Sequence, residues 1–472
     1  MTFPFTLQTP LEHLSGLPSE TDVVVIGAGI IGVMTAWELA KSGLRVVVLE
    51  KGRVAGEQSS RNWGWIRSQG RDAAELPIMA EAAAMWRQMA VDIPEDMGLR
   101  QCGVTYLAGK ADEIGRYEDW LPHAKDHGLD SVILTAKQTA DLIPQATTGW
   151  AGALHTASDM KAEPWVALPA IARAAVRDGV VIVENCAVRS LDISAGRVTG
   201  VVTEQGAITA PEVVLAGGAW SQLFLRRHGI TIPQLSVRAT VAATSPLPQV
   251  HEGGAVDDKL AFRRRADGGY TLAPSGFHEL YVGLDASRAL GGYTKALLAD
   301  PLGTRLLPAV PRDFPDAWGT PRNWAADEVS PFERNRILNP APNKAKVAKL
   351  ARNFATTFPA LGTVKISASW AGMIDTMPDV VPVVDRAPLD GLTIATGMCG
   401  HGFGIGPAFG RIVARIVRGE PAGYDMARFR FGRFTDGSEL ILGPNLERGL
   451  QLLRRWIRLQ EIPISPEHPN AC

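Results

Sequence analysis

Cysteine is scarce in this chain. Its 472 residues hold four, Cys102, Cys186, Cys399 and Cys472, with no CxxC spacing and none of the density of a disulfide framework. That pattern points to a reducing compartment and to no structural metal. No stretch approaches the roughly 20 apolar residues needed to cross a bilayer. The opening residues, MTFPFTLQTPLEHLSG, carry Glu12 and two prolines but neither the basic nor the apolar segment of a secretory leader. A dominant charge is missing too: the net charge of −1 gives no field for nucleic acid or an anionic membrane, so a charged ligand needs a local site. Low-complexity segments and internal repeats are absent. With 46% hydrophobic and 21% charged residues, the composition is that of a folded globular protein. A soluble cytoplasmic protein is the expectation, and the length suits two domains, interleaved along the chain.

Residues 22–50 read as strand, glycine turn, helix, strand: DVVVIGAG, IIGVMTAWELAKSG, LRVVVLE. The first run is β-branched, and Gly43 suits the left-handed position after a helix. A helix is expected over 76–92, mixed short elements over 100–155, and a further helix over 166–177. Hairpin strands follow over 189–210, then the buried strand EVVLAGG; strand signals dominate 235–300, with a DGG turn at 267–269. Residues 300–345 read as loops. The strand LTIAT at 392–396 leads to a glycine cluster and a helix from Pro407 to Arg418.

Gly27-Ala28-Gly29-Ile30-Ile31-Gly32 matches GxGxxG between strand and helix, and Glu50 closes the next strand. Gly27 permits the tight turn, Gly29 lets backbone approach a pyrophosphate, and Gly32 lets helix and strand pack closely. The helix N-terminus offers unpaired N–H groups to the anion, and Glu50 suits ribose hydroxyls. The context marks a dinucleotide site, but this element alone leaves FAD and NAD open.

Three more segments narrow the choice. Gly56-Glu57-Gln58-Ser59-Ser60-Arg61-Asn62-Trp63-Gly64-Trp65 is a small, polar loop after the second strand. Val213-Val214-Leu215-Ala216-Gly217-Gly218-Ala219-Trp220 sets a second glycine pair after a buried strand, and Gly397-Met398-Cys399-Gly400-His401-Gly402-Phe403-Gly404-Ile405-Gly406-Pro407 precedes the late helix. With the N-terminal unit, this order resembles the D-amino-acid oxidase superfamily of flavoproteins, over residues 20–425.

The resemblance implies an α/β protein: a Rossmann-like FAD-binding domain interleaved with an α+β substrate domain on a large mixed or antiparallel sheet. The expected segments are 20–85, 155–235 and 366–425 for FAD binding, 86–154 and 236–365 for substrate, and 426–472 as a tail. FAD would be held by Gly27, Gly29, Ile30, Ile31 and Gly32, by Glu50 and Lys51, and by the loop from Ser59 through Ser60, Arg61, Asn62 and Trp63 to Gly64. Ala187 and Val188, Ala216, Gly217, Gly218 and Trp220, and the turn Gly400, His401, Gly402, Phe403 and Gly404 complete the set. A helix dipole at Pro407 would steady negative charge on reduced flavin.

The resemblance further implies oxidation of the C–N bond of a D- or N-substituted amino acid or related amine. Hydride passes to flavin N5 from the carbon beside a neutral amine, without an obligatory side-chain base, and the imine hydrolyses. Arg67, three residues past Gly64, is expected beside the flavin. Arg71 stands next to the place of the family's carboxylate-binding arginine, itself Gly70 here; each is otherwise a surface arginine. A guanidinium fork suits a carboxylate. Trp65 and Trp63 are read as an aromatic wall or as core, and His401 as a flavin-tuning or structural residue. In Arg263-Arg264-Arg265, alternation puts Arg263 and Arg265 on one face and Arg264 on the other; a solvated face is expected, with a face lining the substrate cavity as the alternative.

Two departures matter. Neither the segment 372–379 nor the loop 56–65 holds a cysteine or histidine at the family's flavin-attachment positions, so noncovalent FAD is expected. The oxygen-activating lysine is replaced near Tyr270-Thr271 and the carboxylate lysine by Gly404. The acceptor is therefore oxygen or a quinone-type compound. Residues 444–460 put Leu446, Leu450, Leu453 and Ile457 on one helical face, expected to dock on the protein's own body or a second subunit rather than on a membrane. The rival readings are a flavin-dependent 2-hydroxy-acid dehydrogenase and an FAD-binding subunit of a heteromeric dehydrogenase.

Overall fold

The computed structural model describes residues 4–301 and 303–443; the expected helix over 444–460 lies outside them. Two sheets organise these residues. The first has six strands in the order Val383–Arg386, Leu392–Thr396, Glu212–Leu215, Val23–Ile26, Val46–Leu49, Val181–Val183. All pairings are parallel except that of Val383–Arg386 with Leu392–Thr396. The valines of Val23–Ile26 are buried on both faces, as central parallel strands covered by helices require. The helices Ile30–Lys41, Pro164–Arg177 and Gly402–Val417 contribute to one continuous apolar core beside the sheet.

The helices Ile30–Lys41 and Gly402–Val417 cross at close range because glycine faces the contact. A Cβ at Gly410 would stand 2.5 Å from the Cβ of Met34, and one at Gly406 would stand 2.7 Å from Ile30. Part of the late glycine cluster thus serves helix packing.

The second sheet has ten strands, mostly antiparallel. Its longest members, Leu235–Thr244 and Ile366–Thr376, pair along their length. One face carries an aromatic cluster in which Phe262, Phe354, Phe358 and Tyr270 meet at centroid distances of 5.0–5.6 Å. Phe354 sits on the helix Lys344–Thr357, which the sequence reading did not anticipate. The helix Ala111–Asp126 also fell in a region read as short elements. Its apolar residues Ile114, Tyr117, Leu121 and Ala124 recur at helical spacing, a signal diluted by Gly115, Pro122 and many charges.

The N-terminal unit matches expectation, with Gly43 at φ +88° beyond the first helix. The late helix differs: it begins at Gly402, not Pro407. Pro407 falls within its second turn, where the ring removes the N–H that would otherwise donate to the Phe403 carbonyl. The opening amides therefore belong to the Gly402 turn.

Candidate active site

One cavity of about 1020 Å³ runs from the glycine fingerprint, between the two sheets, to a mouth beside the helix Ala111–Asp126. That exceeds the few hundred Å³ a drug-sized ligand needs. At its inner end the turn after Val23–Ile26 is drawn tight. Gly27 has φ +104°, and a Cβ there would lie 2.5 Å from the Ala216 carbonyl oxygen. The Glu50 carboxylate accepts the amides of Ala28 at 2.9 Å and Gly52 at 2.7 Å, and burial pushes its pKa up to about 7. The Ser59 hydroxyl accepts the Ile30 amide at 3.0 Å, which ties the polar loop to the first helix. A bare glycine surface, a helix N-terminus and an acid at the end of the second strand fit an adenine dinucleotide.

Gly27, Gly29, Ile30, Ile31, Glu50, Lys51, Ser59, Arg61, Asn62 and Trp63 all line this cavity. So do Val188, Ala216, Gly217, Gly218, Trp220 and the turn from Gly400 to Gly404. Gly32, Ser60, Gly64 and Ala187 lie behind the lining. Gly32 serves packing, since a Cβ there would sit 1.9 Å from the Gly27 carbonyl oxygen. Two cationic groups are tied up by protein. The Lys51 ammonium meets Glu57 at 2.6 Å and sits over the Trp220 ring, and the Arg61 guanidinium donates to the carbonyls of Phe5, Gly56 and Ala371 and to Asn339.

The outer half of the cavity gathers Trp65, Trp63, Arg67, Arg71 and His401. Trp63 and Trp65 meet edge to face at 5.2 Å. Arg67 donates to the Gln69 carbonyl, and its guanidinium lies 5.8 Å from the Tyr106 ring centroid. The Arg71 guanidinium is fully engaged: it donates to the Arg67 carbonyl at 2.7 Å, to Glu75 at 3.2 Å and to the His401 carbonyl at 3.1 Å. Buried this way, Arg71 braces the loop, while Arg67, with its bond to the Gln69 carbonyl, lines the cavity beside it.

Asp159, Glu75, Tyr106, Ile374 and Asp375 belong to the site or its support, and the sequence reading missed them. They come from separate strands and loops with no local motif. Only the clustered Arg67-Ser68-Gln69-Gly70-Arg71-Asp72 with Glu75 hinted at buried ion pairing.

The expectation of a solvated face for Arg263 and Arg265 is overturned. Both are buried, at 1% and 3% exposure. Arg263 forms a two-pronged pair with Glu163 at 2.9 and 3.0 Å, and Arg265 meets Asp267 at 2.8 Å. Arg263 lies on Ala261–Arg264, an internal strand of the ten-stranded sheet, and Arg265 just past its end; desolvated guanidinium groups there need acid partners. Thr271, buried beside them, receives a 3.5 Å contact from Arg263 and lies outside the cavity lining; Gly404 lines it.

The family of FAD dependent oxidoreductases matches residues 22–416. Sarcosine oxidase subunit beta of an Arthrobacter species is 26% identical over 424 residues, 88% of this chain and 91% of that protein. The L-amino acid deaminase of Proteus myxofaciens, solved with anthranilate, superposes with a TM-score of 0.86 at 31% identity, covering 90% of this chain and 96% of that one. Mouse mitochondrial sarcosine dehydrogenase is 28% identical over 282 residues, 56% of this chain but only 30% of that longer protein.

Proposed function

The chain belongs to the FAD-dependent oxidoreductase family, and from that premise we propose that it oxidises the C–N bond of an α-amino acid. The observation that carries this reading is Arg67, a guanidinium facing the cavity beyond the dinucleotide end while its neighbour Arg71 is consumed by protein contacts. Arg67 binds the carboxylate by paired, charge-assisted hydrogen bonds. Trp65, Tyr106 and Ile374 form apolar surface around the α-carbon and side chain. The amide-rich turn at Gly402 and the His401 ring line the cavity beside the Trp65–Arg67 backbone, against which Gly404 packs closely.

FAD, when bound, would supply the two-electron acceptor for the Cα–H bond. The Gly27–Gly29 turn, the opening of the first helix and Glu50 hold its adenosine and pyrophosphate; no cysteine or histidine stands at the two attachment positions, which supports noncovalent binding. The chain's residues orient the amino acid and keep bulk water from it, and the imine hydrolyses in water after release.

Sequence resemblance favours D- or N-substituted amino acids; the likeness to the Proteus myxofaciens deaminase adds L-amino acids. The likeness to a subunit named beta supports a second reading, a catalytic chain within a heteromer. The deciding experiment follows flavin bleaching under anaerobic conditions with D-, L- and N-methyl amino acids and the matching 2-hydroxy acids. Reduction by amino acids alone supports the proposal, and reduction by 2-hydroxy acids alone overturns it. Native mass spectrometry of the protein purified from its own source tests the heteromer.

A further inference from the structure

Glu75 is buried, and its Oε2 lies 3.8 Å from Nδ1 of His401, across more than three hundred residues of chain. Both partners are incompletely satisfied: Nδ1 of His401 and Oε1 of Glu75 are buried without a hydrogen-bond partner. The His401 side chain keeps 22% exposure, and the residue lines the cavity. With Nδ1 turned inward to an acid, the opposite edge of the ring, bearing Nε2, is the edge that meets the cavity. A histidine whose one nitrogen faces a carboxylate holds its proton there and leaves a lone pair on the other.

We propose that His401, oriented by Glu75, is the base that removes a proton from the substrate ammonium before oxidation. This rests on the amino-acid reading above. An amino acid arrives as a zwitterion, and its Cα–H bond yields a hydride only when the nitrogen lone pair is available to form the C=N bond. In the step, one N–H bond of the ammonium breaks and its electron pair stays on nitrogen. The proton bonds to the Nε2 lone pair, and the positive charge moves onto the imidazole beside Glu75. The proton then leaves through the cavity mouth to solvent. His401 is the catalytic residue here and Glu75 the positioning residue.

The surrounding charges agree. Burial opposes ionisation of Glu75, yet the contact with His401 and the Arg71 charge hold its carboxyl down at about 2. Burial lowers the His401 pKa, Arg67 and Arg71 lower it further, and Glu75 works against them, so the ring rests neutral. Asp159 and Tyr106 complete the ionisable groups around Arg67 and Arg71, and burial raises both of their pKa values, favouring the uncharged forms. Glu75 is thus the acid that offsets a newly formed imidazolium.

The test combines kinetics of the holoenzyme with nuclear magnetic resonance. Flavin reduction is followed against pH in anaerobic stopped flow with L-leucine, D-alanine and sarcosine as probes. His401→Gln should lose about 10²-fold at pH 7, the range of a general base, and recover with rising pH as the probe's own amine becomes neutral. Glu75→Gln should move the lower break of the wild-type profile to lower pH, because the charge that raises the His401 pKa is gone. His401→Asn serves where the glutamine variant does not fold.

Independently, ¹⁵N-histidine spectra of the oxidised holoenzyme, assigned by the missing signal of the variant, should show His401 as the neutral Nδ1–H tautomer at pH 7. Wild-type rates and profile in both His401 variants overturn the proposal, as does an Nε2–H or imidazolium signal at pH 7. If no amino acid bleaches the flavin, the amino-acid reading fails, and the spectra still decide whether the Glu75–His401 pair exists.

Discussion

The carboxylate of Asp159 accepts the backbone amide of Ser68 at 2.7 Å, linking residues 91 apart and fixing the loop that carries Arg67. Its second oxygen accepts the Gln69 amide at 3.4 Å, and the Gln69 carbonyl in turn receives Arg67. Burial pushes the Asp159 pKa up to about 7, far above its value in an unfolded chain. The native state therefore holds this proton more tightly than the unfolded state. The stability it contributes is full below about pH 4 and is lost as pH rises to about 7. Asp159→Asn should remove that decline, so unfolding midpoints of the two proteins, measured from pH 4 to 8, should diverge with pH. Parallel curves would show that Asp159 is ionised throughout.

Arg67→Ala should lower kcat/KM by on the order of 10²-fold while flavin content stays near normal. A charged donor in a water-excluded site is worth a few kcal/mol, roughly a factor of ten for each 1.4 kcal/mol. Arg71→Ala should instead lower thermal stability, because it strands Glu75 as a buried, unpaired acid. Steady-state kinetics and a melting curve on each variant separate the roles.

Gly29→Val should abolish flavin binding with the fold retained. A Cβ there meets only the Ser59 hydroxyl, at 3.2 Å, so the protein accommodates it, but the branched side chain takes the space of a pyrophosphate. Gly32→Ala should fail earlier, at folding, because its Cβ would collide with the Gly27 carbonyl oxygen. Flavin absorbance and circular dichroism on the two variants should show this split.

Acid precipitation should release the flavin completely as free FAD. Cys399 is the thiol in the cavity wall, but its Sγ turns to the Gly397 carbonyl at 2.9 Å, and burial keeps it protonated. Yellow colour remaining in the pellet would reveal a covalent bond.

Reoxidation by oxygen should be slower than by a quinone or phenazine dye. Superoxide forms as an anion, and a cation beside the ring lowers that barrier. Thr271 lies outside the cavity lining, and Gly404, which lines it, offers no charge. Stopped-flow mixing of reduced enzyme with air-saturated buffer should give a rate below turnover with the dye.

The dinucleotide crevice was legible in the sequence because its parts are local. Strand, glycine turn, helix and terminal acid lie within 30 residues; Gly27 and Gly32 stand where a Cβ would strike a carbonyl oxygen, and Gly29 leaves open the space of a pyrophosphate. The order of the later loops located the rest of that crevice for the same reason. The outer half of the cavity was decided by tertiary structure. Arg67 and Arg71 lie four residues apart, and the sequence set one beside the flavin and the other next to the carboxylate position; both line the cavity, and what distinguishes them in the fold is that Glu75 and the His401 carbonyl converge on Arg71. Arg263 and Arg265 read as a solvated charge run until the fold brings Glu163, at a helix start, to one and turns Asp267 back onto the other. Glycine needs follow from backbone geometry within a few bonds, whereas the state of a charged side chain depends on which distant groups share its desolvated space.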